Sequence, residues 1–199
     1  PNKKTFTKET INDSLPHATY DMTAAGIFAR SYNTGTVMVG NQVSKQTRYD
    51  YMRAFGLGSP IRVGLNGASA GQLAHPENWD RRQQYTTMFG QGYSQTVLHT
   101  ASIFQTLANE GVRLSPSLIE GYRNEDGSIT KIPGPEKKRV VKKSTAEEML
   151  KLMESVVDHG TGYKERIPGY RVGGKTGTGQ AASAKGYDGY TYSFAGVAP

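Results

Sequence analysis

Val172-Gly173-Gly174-Lys175-Thr176-Gly177-Thr178-Gly179-Gln180 is the stretch on which the reading of this chain turns. Tyr170 to Gly179 and Tyr190 to Val197 read as two strands joined by a Gly/Ala/Ser-rich loop. In the second, Tyr190, Tyr192 and Phe194 alternate with Thr191, Ser193 and Ala195, the period of two expected of a strand with one buried face. Extended backbone puts Lys175 and Gly177 on one face and Thr176 and Thr178 on the other, while glycine lets a second backbone approach closely. Such an edge can take up a peptide by strand addition and hold a carboxylate with hydroxyl and ammonium donors. A bare K-T-G is more often an exposed turn, so its weight depends on a partner motif.

The partner is Ser31-Tyr32-Asn33, far upstream. Asp21 to Phe55 reads as helical pieces. Met22 to Arg30 is rich in Ala and apolar residues, Ser31 to Gly35 breaks the pattern, and Thr36 to Val43 resumes it. Ser44 is the N-cap of a helix from Lys45 to Phe55, on which Tyr51, Met52 and Phe55 share a face before Gly56 stops it. Ser31-Tyr32-Asn33 therefore falls on a turn between helices. A hydroxyl can relay a proton and an amide can both donate to and accept from a peptide, a combination suited to acyl transfer.

Leu57 to Gly92, dense in Gly, Pro and Asn, is expected to be a long loop with little regular structure. A helix begins at Ser94, with Val97, Ala101, Phe104 and Ala108 as its core face and Glu110-Gly111 as its end. Tyr122 to Ile132 reads as a hairpin around Asp126-Gly127. Ser144, three residues before Glu147, makes a capping box for a helix from Thr145 to Asp158. Its apolar face carries Met149, Met153, Val156 and Val157, and Gly160 is the stop.

Three further motif matches fail in context. Gly169 to Thr176 fits the P-loop pattern, but Tyr170-Arg171-Val172 is itself strand-like and Gly177-Thr178-Gly179 is a poor helix start, so no helix N-terminus would meet a phosphate. Gly67-Ala68-Ser69-Ala70-Gly71 fits the nucleophile elbow without a convincing strand or helix on either side. Ser128-Ile129-Thr130-Lys131 fits S-x-x-K, yet behind Asp126-Gly127 it is a hairpin arm, where positions three apart point to opposite faces.

The 199 residues, 36% of them hydrophobic, suffice for one domain of mixed fold. Zero cysteines exclude a disulfide framework, a thiolate metal site and a cysteine nucleophile. His17, His75, His99 and His159 show no metal-ligand spacing and read as surface or satisfied core residues. The net charge of +7 is densest at Lys137-Lys138-Arg139 with Lys142-Lys143. With no stacking aromatics interleaved, that run reads as a solvated strand or helix lead-in rather than a nucleic-acid surface. There is no signal peptide or apolar run long enough to cross a membrane. Because the chain opens on Pro1 and closes at Pro199 within a strand-like run, it is expected to be a piece of a longer protein.

With S-x-N followed by K-T-G, the chain resembles class B penicillin-binding proteins, in particular the division-type transpeptidases of actinobacteria. The resemblance also takes in Met22 to Gly40, Phe55 to Gly71, Gly90 to Gly111 and Val172 to Gln180. It implies an α+β transpeptidase fold, shared with β-lactamases, with a helical lobe and an antiparallel sheet lobe, incomplete at both ends. Residues 1–134 would form the mostly helical lobe with the S-x-N turn and long loop, and 135–199 the helix and strands carrying K-T-G.

By that resemblance a serine attacks a D-Ala-D-Ala stem peptide, releases D-Ala, and passes the acyl group to a neighbouring amine. Ser31 would shuttle protons, Asn33 would hold the peptide amide and the nucleophile's lysine, and Lys175 would support the network electrostatically. Thr176, Gly177 and Thr178 would form the substrate-binding edge, with the Thr176 and Thr178 hydroxyls on the terminal carboxylate and the Thr178 amide supplying half an oxyanion hole. No metal or organic cofactor is implied. Peptidoglycan stem peptides, β-lactam antibiotics, a membrane glycosyltransferase and divisome proteins are the implied partners. The implied setting is the extracytoplasmic face of the membrane, with an N-terminal anchor outside this chain. The family's S-x-x-K nucleophile does not occur before Ser31, so residues 1–199 alone are expected to be inactive. The alternatives are a non-catalytic β-lactam sensor or wall-peptide-binding relative, an NTPase using Gly169 to Thr176, and a β-lactamase.

Overall fold

The computed structural model describes residues 1–64, 66–183 and 186–198. The chain opens with an antiparallel hairpin of β1 (Lys3–Phe6) and β2 (Glu9–Asn12), turning at Thr7 with a left-handed φ of 54°. Sequence patterning gives no warning of this hairpin, because Phe6 and Ile11 are its only large apolar residues. Ile11 is nonetheless fully buried against Val37 and Tyr85, and Phe6 packs on the same cluster, so these two residues tie the hairpin to a small core.

Three helices follow: α1 (Ala24–Arg30), α2 (Asn33–Gly40) and α3 (Lys45–Ala54). Thr23 caps α1 by accepting from the Gly26 amide, and Ser44 caps α3 by accepting from Thr47, as its position in the sequence implies. Helix α2 starts at Asn33, three residues before the expected Thr36. Ser31 takes the left-handed conformation at φ 57°, which reverses the chain in one step, and Asp13 receives the Thr34 amide at 2.9 Å. An external carboxylate thus supplies the cap that local sequence lacks.

The stretch from Leu57 to Gly92 is irregular but tied down, with Leu65 outside the described residues. It contains 3-10 turns at Pro76–Asn78 and Thr87–Phe89, a short α4 (Gln83–Thr86), and a bridge from Gln72 to Ser94. Trp79 is buried, donates from Nε1 to the Ala74 carbonyl at 3.0 Å, and lies under the Arg48 guanidinium.

Helix α5 (Val97–Ala108) is capped by Thr96 and His99 reciprocally, two residues beyond the expected start at Ser94. Its buried side is His99, Ser102, Thr106 and Leu107, whereas Val97 is 87% exposed and Ala101 and Ala108 are also exposed. Three of the four expected core positions are therefore wrong, and Phe104 alone of them packs into a core. Polar residues can occupy the buried side because they bond locally: Thr106 Oγ1 donates to the Ser102 carbonyl at 2.7 Å, and His99 Nε2 meets the Ser59 carbonyl at 2.8 Å.

Short ladders come next. β3 (Val112–Leu114) pairs at a distance with a later strand, while β4 (Gly121–Arg123) and β5 (Ile129–Lys131) form the expected hairpin, with Gly127 at φ 81°. The partner of β3 is β6 (Lys137–Arg139), an exposed strand built from the basic run. Helix α6 (Lys143–His159) then buries Ala146, Met153, Val156 and Val157. Its predicted face is right and its predicted cap is not. The helix begins before Ser144, which lies in the first turn, and Lys143 instead pairs with Glu110 and approaches Glu147.

The chain closes with a long antiparallel hairpin, β7 (Gly173–Ser183) and β8 (Gly186–Val197), in register Lys175↔Ala195, Thr176↔Phe194 and Thr178↔Tyr192. Tyr170 to Val172 is not strand. Tyr170 donates its amide to the Ile167 carbonyl in a turn, and pairing starts only at Gly173. Both strands extend into the segment expected to be loop, of which residues 184 and 185 lie outside the described residues. The alternation in β8 holds, but Tyr190 and Tyr192 are 58% and 75% exposed. Of the three rings, Phe194 packs inward, against Gly174 and Gly162, because the hairpin meets the helices only near its base.

A second core gathers Leu107, Ala146 and Met153 with Phe28, Phe55, Phe104 and Val197, so α1, α5, α6 and β8 share it. The architecture is α+β, and among the described residues every ladder has two strands. Met153→Ala is expected to cost about 2–5 kcal/mol of stability, since its side chain is fully enclosed, while Val97→Ala should stay within about 0.5 kcal/mol. Chemical denaturation followed by Trp79 fluorescence measures both.

Candidate active site

Lys175 stands third in β7, and Ser31 ends α1 in the left-handed conformation. Separated by 144 positions, they meet directly: Lys175 Nζ donates to Ser31 Oγ at 2.7 Å and to the Thr176 carbonyl at 2.9 Å. The ammonium also lies 5.9 Å from the centre of the Phe28 ring. Burial among these groups pushes the Lys175 pKa below the ordinary lysine value, because the charged form loses hydration.

Two residues after α6 hold this junction. Gly160 lies so close to the Ala29 carbonyl that a Cβ would collide with it. Thr161 donates its amide to the same carbonyl at 3.0 Å, and its Oγ1 is 2.7 Å from Thr176 Oγ1. One threonine thus bonds both the end of α1 and the K-T-G strand. Sequence reading marked Gly160 only as a helix stop and passed over Thr161. The available signal was a Gly-Thr-Gly run between a secure helix and the K-T-G strand.

The remaining predicted site residues are placed as follows. Asn33 opens α2, and its Nδ2 donates to the Asn12 carbonyl at 3.0 Å rather than to any K-T-G atom. That leaves its Oδ1 and one amide hydrogen to offer a ligand. Thr176 joins the hydrogen-bonded group through Thr161 and Gly177 follows it, where a Cβ would lie 2.6 Å from Ser193 Oγ. Thr178 is exposed farther along β7. β7 pairs with β8 on one side, and among the described residues no strand pairs on its other side. An extended peptide can therefore add there beside the threonine hydroxyls.

The discarded motifs stay discarded. Ser128 and Lys131 lie at and on the exposed β5 arm, with the Ser128 hydroxyl on Asp126. Ser69 accepts from the Gly71 amide in a local turn. Lys175 lies inside a strand followed by another strand, so no helix N-terminus faces a phosphate. Among the described residues no cluster of three or more His, Cys, Asp or Glu could hold a metal ion.

A strand lysine of lowered basicity on a helix-turn serine can support proton relay, and threonines along an open sheet edge can bind a carboxylate. Comparison with known proteins gives the class a name. The penicillin binding protein transpeptidase domain family matches residues 1–199, and the chain belongs to that family. It is 36% identical over 201 residues to penicillin-binding protein PbpB of Mycolicibacterium smegmatis, covering 96% of this chain and 31% of the relative. It is also 36% identical over 160 residues to the "Probable peptidoglycan D,D-transpeptidase FtsI" of Caulobacter vibrioides, covering 77% of this chain and 25% of that protein. The crystal structure of penicillin binding protein 3 from Mycobacterium tuberculosis, complexed with ampicillin, superposes with a TM-score of 0.95. The sequences there are 35% identical, over 100% of this chain and 46% of that one. The chain thus spans less than half the length of each of these proteins.

The lowered Lys175 pKa has a consequence for stability. The unfolded lysine holds its proton more firmly than the folded one, so folding gains stability as pH rises between the folded value and the ordinary lysine value. The stability of wild type relative to Lys175→Met should therefore increase with pH across that alkaline window. Denaturant titrations at a series of pH values read the sign directly.

Proposed function

We propose that the protein is a peptidoglycan D,D-transpeptidase, cross-linking stem peptides through a serine acyl-enzyme in septal wall synthesis. The observation that carries this is the 2.7 Å contact between Lys175 Nζ and Ser31 Oγ, which joins the K-T-G strand to the S-x-N turn beside an open sheet edge. Family membership and the names of the relatives support it.

The stem peptide lies extended along β7, its terminal carboxylate on the Thr176 and Thr178 hydroxyls, with Gly177 between them. Asn33 takes a peptide amide through Oδ1 and the lysine of the nucleophile's motif. The attacking serine comes from outside residues 1–199, since the S-x-x-K at Ser128 lies on an exposed hairpin. Its attack on the D-Ala-D-Ala carbonyl places negative charge on the carbonyl oxygen, which the Thr178 amide partly holds. The proton lost by the nucleophile passes through Ser31 to the departing D-Ala amine. Lys175, already donating to Ser31 Oγ, leaves that hydroxyl's own hydrogen free to be relayed. In the second half a neighbouring strand's amine takes the acyl group and its proton returns by the same route.

Residues 1–134 and 135–199 act in this scheme as two parts of one domain, which their shared second core supports. β-Lactams would compete for the same edge, as the ampicillin complex of the Mycobacterium tuberculosis relative suggests. The full-length protein would work at the extracytoplasmic face of the cell membrane, anchored by a segment outside this chain. A membrane glycosyltransferase and divisome proteins would be its partners. Among the described residues no helix is long and apolar enough to cross a membrane.

Fluorescent penicillin should form a covalent adduct with the full-length protein. Ser31→Ala and Lys175→Ala should each slow its formation by about 10²–10⁴-fold. No adduct, under conditions that label a control transpeptidase, would count decisively against the reading.

A further inference from the structure

The segment from Asn12 to His17 reaches each of the three residues that follow Ser31. The Asn12 carbonyl accepts from Asn33 Nδ2. Asp13, its side chain only 1% exposed, accepts from the Thr34 amide at 2.9 Å and the Thr34 hydroxyl at 2.8 Å. It caps α2 where Tyr32, the N-cap residue, makes no side-chain bond of its own. His17 completes the set, its ring stacked on Tyr32 with centroids 4.1 Å apart and planes 19° from parallel.

The two ring nitrogens of His17 face acceptors. Nε2 lies 3.1 Å from Asp13 Oδ2 and Nδ1 lies 2.6 Å from the Ala18 carbonyl. One ring nitrogen thus meets the carboxylate that caps α2, and the other meets the ring's own segment. The titratable groups around the ring are Asp13 from the end of β2, Tyr32 from the α1–α2 turn, and Tyr20 from its own segment, stacked 5.6 Å away. The carboxylate that caps α2 therefore also meets a ring that rests on the middle residue of S-x-N.

We propose that His17, bonded to Asp13 and stacked on Tyr32, is a positioning residue that fixes the face Ser31 and Asn33 present to the peptide. The inference rests on the transpeptidase reading of the cleft. Losing the stack or the bonds loosens the turn, so the acylation step slows while ligand still binds.

The test is stopped-flow acylation of the full-length protein by fluorescent penicillin, resolving the non-covalent dissociation constant from the acylation rate constant. His17→Gln keeps a donor for Asp13 without aromatic stacking, and His17→Phe keeps the stack without the bonds. Wild type should acylate about tenfold faster than either variant. Dissociation constants should stay within about twofold, the split expected of a group acting on the reacting geometry. A ratio of one, or a loss carried wholly by the dissociation constant, overturns the proposal. Where a variant is too unstable to assay, the other decides. Wild type that takes up no penicillin overturns the underlying reading as well, which separates that failure from a failure of His17 alone.

Discussion

The structure depends on the approach of Gly160 and Thr161 to the end of α1. With no side chain at 160, the turn after α6 lies directly on the Ala29 carbonyl, and Thr161 then bonds that carbonyl and the Thr176 hydroxyl together. Any β-carbon at 160 would push α6 off α1. The K-T-G strand packs on α6, so it would move away from Ser31 as well. Buried apolar residues on α6 supply the adhesion, but this backbone contact sets the distance. The Lys175 to Ser31 hydrogen bond is its consequence.

That arrangement also sets the electrostatics. Lys175 reaches Ser31 past the Phe28 ring, and burial there disfavours its charged form. The same burial that costs the lysine hydration makes it responsive to a neighbouring hydroxyl, which a solvated surface lysine would not be. Fold stability and the lowered basicity of Lys175 thus draw on one desolvated contact.

The S-x-N turn is held from the opposite side by the N-terminal hairpin. Ile11 fixes β2 to the first core, and Asn12 and Asp13 then fall at the first turn of α2. A short, charged hairpin with one buried apolar residue per strand pair carries little pattern for a reader of sequence, yet it supplies the cap that α2 lacks. Asn33, expected to serve the cleft, spends part of its hydrogen-bonding capacity on this brace.

Local chemistry along the chain determined the elements that local chemistry controls. These include the hairpin at Asp126-Gly127, the Ser44 cap, the apolar face of α6, and the strand setting of Lys175 that removes a phosphate cradle. The pairing of S-x-N with K-T-G was also legible, because both motifs keep their letters and order. Tertiary structure alone decided the rotation of α5, whose buried side is polar and satisfied by its own backbone. It also decided the early start of α2, capped by a carboxylate twenty-one positions away, and the exposure of Tyr190 and Tyr192 beyond the reach of the helices. It decided too that Thr161 belongs to the site. The division has one cause: periodicity and capping act over a few residues and are written locally, whereas a hydrogen bond or clash between distant segments exists only once the chain has brought them together.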